Sequence, residues 1–143
     1  MKPSHVLVPL DGSPLADDAL DYALAVHGCR ITVLNVVTPI DAGMSEATVL
    51  ETDGERAEEA RRRAEQLLKE AKEAAEEGTE AETEVAVESG EPAKTILEHV
   101  GETDVDHIVM GSHGGEADVT SRLLGTVSTK VVTESPVSVT VIR

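Results

Sequence analysis

The sequence contains no phenylalanine and no tryptophan, and Tyr22 is its one tyrosine. A core must therefore be filled by Val, Ile, Leu, Ala and Met. Cysteine is almost as scarce. Cys29 stands alone, which excludes an internal disulfide and points to a reducing compartment, with the thiol read as a small buried residue rather than a reactive one. Basic residues are few: 12 Lys plus Arg stand against 28 Asp plus Glu, for a formal charge of -16. Nucleic acid and anionic membrane surfaces both need basic patches, so neither is an expected partner. No stretch approaches the roughly 20 apolar residues of a membrane span, and the apolar run in MKPSHVLVPLDG is too short for a signal peptide. A cytoplasmic location is expected.

What is present fits a folded domain. A length of 143 residues suits a single domain over 1–143, large enough to bury roughly two thirds of its unfolded surface. The acidic residues are spread between apolar positions instead of forming a block, so the chain reads as a folded protein with an acidic skin. Such a skin over a small-residue core resembles proteins of salt-loving organisms.

HVLVPL (5–10) reads as a buried strand, and DGSP after it as a turn into a helix with Ser13 as N-cap and Pro14 at N1. On that helix Leu20, Ala23, Leu24 and His27 share one face, Asp17 and Asp18 suit the positive end of the dipole, and Gly28 is expected to close it in the left-handed conformation. RITVLNVV (30–37) is a second strand. Thr52 and Glu55 form a possible capping box ahead of Ala57, Ala60, Ala64, Leu67, Leu68, Ala71, Ala74 and Ala75, which recur at helical spacing. The pairs Glu58–Arg62, Glu59–Arg63 and Glu65–Lys69 support this helix and mark its solvated face. Then come a strand at 83–89, a helix at 90–101, a strand at 106–111, a helix from about Ser121 to Glu134, and a last strand at 137–142 after Pro136.

Strands alternating with helices imply an α/β fold: a parallel, doubly wound five-stranded sheet with helices on both faces. A common order for such sheets is 3-2-1-4-5, which makes strands one and four neighbours at the switch point, where ligands sit beyond the carboxyl ends. The turn carrying Asp11 and the loop carrying Gly111, Gly114 and Gly115 then flank one crevice. The loop is neither a Walker A sequence nor GxGxxG, and its glycines fit a tight turn as well as a phosphate cradle. Gly125 and Thr126 favour the cradle, because a small residue and a hydroxyl in the first turns of a helix can approach a phosphate oxygen.

Several stretches, in order, carry a resemblance over the whole length: VLVPLDGSP, VLNVV, GEPAKTI, DHIVMGSHG, LLGTVSTKVV and SPVSVTVIR. The chain resembles the nucleotide-binding branch of the universal stress protein (UspA) family. The resemblance implies an adenine-nucleotide α-hydrolase-like fold, a homodimer, and binding of ATP with a divalent metal, Mg²⁺ or Mn²⁺. By position it implies that Asp11 bonds the ribose or adenine, that the Val36 backbone meets the adenine edge, and that Gly111 and Gly114 line the phosphates. Gly125, Thr126 and the Val127 amide would close over the phosphate tail. VSVTVI holds no Lys or Pro to discourage pairing at a sheet edge, so the dimer is expected through this last strand.

One departure stands out. The family's motif places nine residues between its second and third glycines, and here ten separate Gly114 from Gly125; counting from Gly115 restores nine but lengthens the first spacer. Glu116 and Asp118 also bring carboxylates near a triphosphate, which repels them unless a metal bridges. Two functions remain: an ATP-dependent stress or signalling regulator, and a dimeric interaction protein of the same fold that has lost nucleotide binding. No enzyme activity beyond slow ATP hydrolysis is expected, since His113 is better read as shaping the loop than as moving protons. His5, His27, His99, His107 and His113 show no metal-ligand spacing, and an adenylating enzyme would need a pyrophosphate loop after the first strand or a paired-histidine motif.

Overall fold

The computed structural model describes residues 2–11, 14–37, 53–74, 82–112 and 125–143. Among the described residues nine elements alternate: β1 (His5–Leu10), α1 (Pro14–Val26), β2 (Arg30–Val37), α2 (Asp53–Ala74), β3 (Thr83–Ser89), α3 (Pro92–Glu102), β4 (His107–Gly111), α4 (Thr126–Glu134) and β5 (Ser138–Ile142). The strands form one five-stranded sheet in the order β3-β2-β1-β4-β5, every neighbour parallel, as the alternation of strands and helices implied.

Alternation along each strand divides the core into two layers. Val6, Val8 and Leu10 of β1 face α1 and α2, where they meet Ala19, Leu20 and Leu24 of α1 and Ala64 and Leu68 of α2. Leu7 points the other way, toward Ile96 and Val100 of α3 and Val131 of α4. The small residues of α2 thus serve as its buried stripe, while Glu59 and Arg63 pair at 3.9 Å on its solvated side.

Three helix ends differ from expectation. Gly28 does not take the left-handed conformation; among the described residues the glycine with positive φ is Gly90, at 151°. The His27 N–H still bonds the Ala23 carbonyl at 2.9 Å, and Arg30 is already in register with His5, so the chain leaves α1 directly into β2 with no left-handed reversal. His27 itself lies beyond the helix end and half-buried, its ring edge-on to Tyr22 and 5.4 Å from that of His107. The helix expected from Gly90 begins at Pro92 instead. Gly90 donates its N–H to the Val37 carbonyl (3.0 Å) and turns sharply over Thr95, whose Oγ1 would stand 2.5 Å from any added Cβ. The helix expected from Ser121 begins at Thr126, because Gly125 is its extended N-cap (φ -67°, ψ 169°). Ser13 and Thr52, the expected caps of α1 and α2, lie outside the described residues.

Candidate functional site

The pairing between β1 and β4 is short. Val6 sits opposite His107 and Leu7 opposite Ile108, and there the ladder stops, although β4 continues beside β5 as far as Gly111–Ile142. In a parallel ladder the next donor on β1 would be the N–H of residue 9, aimed at the Val109 carbonyl. Residue 9 is proline and has no N–H. The two central strands therefore part at their carboxyl ends, where the chain's connections also diverge to opposite faces of the sheet.

A cavity of about 300 Å³ occupies this parting. Pro9, Leu10 and Asp11 form one wall, Met110 and Gly111 the facing one, and Pro92 and Ile96 of α3 complete an apolar side. Val36 reaches the rim from β2, which pairs with β3 as far as Val37 although its pairing with β1 ends at Asn35. The Val37 carbonyl turns toward β3 to accept from Gly90, so the Val36 carbonyl, one residue earlier, turns toward β1 where the pairing has ended. The far end is the first turn of α4, where Gly125, Thr126, Val127 and Ser128 line the space. Backbone N–H groups there lack helical partners and carry the positive end of the dipole. Among the described lining residues Asp11 is the one with a charged side chain.

Gly111 has a second reason to be glycine. A Cβ at this position would meet Leu15 Cβ at 2.9 Å and the Leu15 carbonyl carbon at 3.0 Å, so α1 begins almost on top of the end of β4. Close packing of strand and helix decides the residue here, and the cavity inherits the bare backbone.

The comparisons agree with this architecture and sharpen it. The family model described as the universal stress protein family matches residues 3–143. The chain belongs to the universal stress protein family. A universal stress protein of Thermus aquaticus, named for its place in the QAH/OAS sulfhydrylase 3' region, is 35% identical over 141 residues, covering 96% of this chain and 97% of the relative. Among solved structures, the hypothetical protein MJ0577 aligns with a TM-score of 0.78 at 26% identity over 97% of this chain and 94% of that one. A universal stress protein in complex with cAMP aligns with a TM-score of 0.65 at 25% identity over 100% and 99%.

Of the residues singled out in the sequence of this universal stress protein, Asp11, Val36, Gly111, Gly125, Thr126 and Val127 all line the one cavity. Gly114 lies outside the described residues, as do His113, Gly115, Glu116 and Asp118. Sequence reasoning missed the apolar side, Pro92, Ile96 and Met110, which look like ordinary core residues until the strand order is known. It also missed Ser128. Ser128 lies in the first turn of α4 at 2% exposure, where its hydroxyl must find a partner, and that burial is decided by packing and carries no mark in the sequence.

The opposite end of the sheet is built differently. His5, 3% exposed, gives its Nδ1–H to Asp104 at 2.6 Å, and its Nε2 lies 2.6 Å from Thr32 Oγ1. Thr32 donates to Glu84 at 2.7 Å, and Arg30 joins the same carboxylate at 2.7 Å. Asp106 accepts from the Ser4 and His5 backbone N–H groups. The order Asp104, His5, Thr32 matches that of an acid, base and hydroxyl nucleophile, but Thr32 is 2% exposed and its proton is committed to Glu84. No substrate carbonyl can reach it, and the group is structural. The bond from His5 holds Asp104 below the usual carboxylate range, and the bond from Thr32 does the same for Glu84. Among the described residues no cluster of three ligating side chains is suited to a metal ion, and no helix is long and apolar enough to cross a membrane.

Proposed function

We propose that this universal stress protein binds ATP, accompanied by Mg²⁺ or Mn²⁺, and acts in the cytoplasm as a nucleotide-dependent regulator of a stress response or signalling pathway. The observation that carries this reading is the cavity at the switch point, which joins an apolar slot to a helix N-terminus. The slot between Pro9, Pro92, Ile96 and Met110 suits a flat purine, and the Val36 carbonyl suits an amino group on its edge. Asp11 is the acceptor for a ribose hydroxyl. Thr126 and the amides of α4 suit phosphate oxygens. The metal would arrive with the triphosphate and be held chiefly by its oxygens, offsetting repulsion from an acidic chain. A structural neighbour of the same family is in complex with cAMP, which supports the adenine-nucleotide class.

The chain works as a homodimer through the outer edge of β5, whose partner on the inner side is β4. It is not assigned an enzyme activity beyond slow ATP hydrolysis. Calorimetric titration with MgATP from low salt to molar KCl tests the binding. ATP approaches a chain of formal charge -16 and is repelled over long range. At about 1 M salt the Debye length is about 3 Å, which screens distant carboxylates and spares close contacts. Affinity is expected to rise with KCl while circular dichroism shows a folded protein. Affinity falling steadily with salt would overturn this account of how the acidic chain holds an anion. A folded dimer that binds no nucleotide at any salt would favour the interaction-protein reading instead.

A further inference from the structure

The carbonyl of Ser112, which directly follows β4, accepts two hydrogen bonds. One comes from the Gly125 N–H at 2.7 Å and the other from Ser128 Oγ at 2.6 Å. Ser112 is itself anchored, since its N–H donates to the Ile142 carbonyl of β5 at 2.8 Å. Ser128 Oγ also lies 3.1 Å from the Gly125 carbonyl, so its single proton is shared between the two backbone oxygens that bracket the return of the chain. Both serines are 2% exposed, which shields the arrangement from competing water.

A lone bond from the Gly125 N–H would act as a hinge about which the first turn of α4 can swing. A second bond from one turn further along the helix removes that freedom, because two attachments at different depths fix a direction as well as a point. The groups whose direction matters are the N–H groups of Thr126 and Val127, which have no partner within the helix and stand at the end of the cavity away from the apolar slot. We infer that Ser128 is a positioning residue for the phosphate end of this site: its hydroxyl aims the start of α4, while the base end is walled by residues of β1, β2, β4 and α3. The inference rests on the nucleotide reading above.

The experiment compares the parent protein with Ser128→Ala in titrations with MgATP and with adenosine, at a salt concentration where circular dichroism shows both proteins folded. The expected result is a loss of about 5- to 20-fold in MgATP affinity, with adenosine affinity held within about twofold. Amide hydrogen exchange without ligand supplies a second readout: the Gly125 N–H is expected to exchange faster in the variant while amides of β1 do not change. Equal losses for both ligands would show that the serine supports the whole pocket and would overturn the inference. So would unchanged MgATP affinity, or unchanged exchange at Gly125. A parent protein that binds neither ligand would remove the nucleotide reading itself, and the positioning role with it.

Discussion

The two ends of the sheet use the same strands for opposite purposes. At the amino end, polar side chains from β1, β2, β3 and the α3–β4 connection satisfy one another, with His5, Asp104, Thr32, Glu84 and Arg30 linked by hydrogen bonds of 2.6 to 2.7 Å and by the longer Arg30–Asp104 and His5–Glu84 pairs at 3.7 and 3.8 Å. At the carboxyl end there is space instead, walled by proline, glycine and aliphatic residues, with the available polar groups supplied mainly by backbone. Mutually satisfied groups hold a structure together and have nothing left to offer a ligand. Backbone groups freed by Pro9 and by the start of α4 are available for binding.

The comparison breaks most visibly at His5. His5→Ala empties a buried site and leaves the buried Thr32 hydroxyl without its imidazole partner, at a cost of about 2–4 kcal/mol, while the solvent-exposed Asp104 and Glu84 carboxylates lose little. Thermal unfolding should shift down by roughly 5–10 °C for a chain of this size. MgATP affinity of the remaining folded protein should not change, and a loss of binding would mean that the two ends are coupled.

Two glycines divide the carboxyl end further. Gly111→Val drives a Cβ into Leu15 and is expected to destabilise by about 1–3 kcal/mol as well as weaken nucleotide binding. Gly125→Val meets no conformational barrier, since the backbone there is extended. Its stability should stay within about 1 kcal/mol of the parent, and MgATP affinity should fall at least about tenfold by filling the approach to the phosphate. Thermal melts and calorimetry on the same pair of variants separate the effects.

Acid should act on the amino end first. The folded state lowers the pKa of Glu84 and of Asp104, so the stability these groups contribute is complete above their unfolded values, about 4.3 and 3.9, and is lost as pH falls through the lower folded values. Melts from pH 6 to 2.5 should show a shallower acid decline in Glu84→Gln than in the parent. Asp17 provides the smallest effect and the opposite sign. Burial, reinforced by Asp21, Asp18, Asp11 and Glu70, pushes its carboxyl up, and one of its oxygens is buried with no hydrogen-bond partner among the described residues. Its contribution is favourable only while it is protonated and is lost as pH rises through the raised value. Asp17→Asn should therefore raise the melting temperature by about 1–3 °C at pH 7 and lose that advantage near pH 3.

Much of this was legible along the chain. The runs HVLVPL, RITVLNVV and HIVMG are strands with buried interiors because most of their residues are aliphatic, and the alanine-leucine stripe of α2 has no alternative to lying on the sheet. Those patterns are local, and an alternating order of strands and helices restricts the topology to few choices. Asp11, Val36, Gly111, Gly125, Thr126 and Val127 were legible chiefly through the family resemblance, with Gly125 and Thr126 also marked as a small residue and a hydroxyl near the start of a helix. Tertiary structure alone decided the rest. Gly28 and Gly90 look alike in sequence, yet the first meets nothing within 4 Å and the second sits over Thr95 with positive φ, because only the packed chain determines which turn is crowded. Met110, Ile96 and Pro92 became cavity walls only when β1 and β4 were adjacent and parted. His5 found Asp104 nearly a hundred residues away, and Ser128 found the carbonyl of Ser112, 16 residues back. Hydrogen bonds and cavities depend on positions in space within a few tenths of an ångström, and the periodicity of a sequence carries no information at that scale about residues distant along the chain.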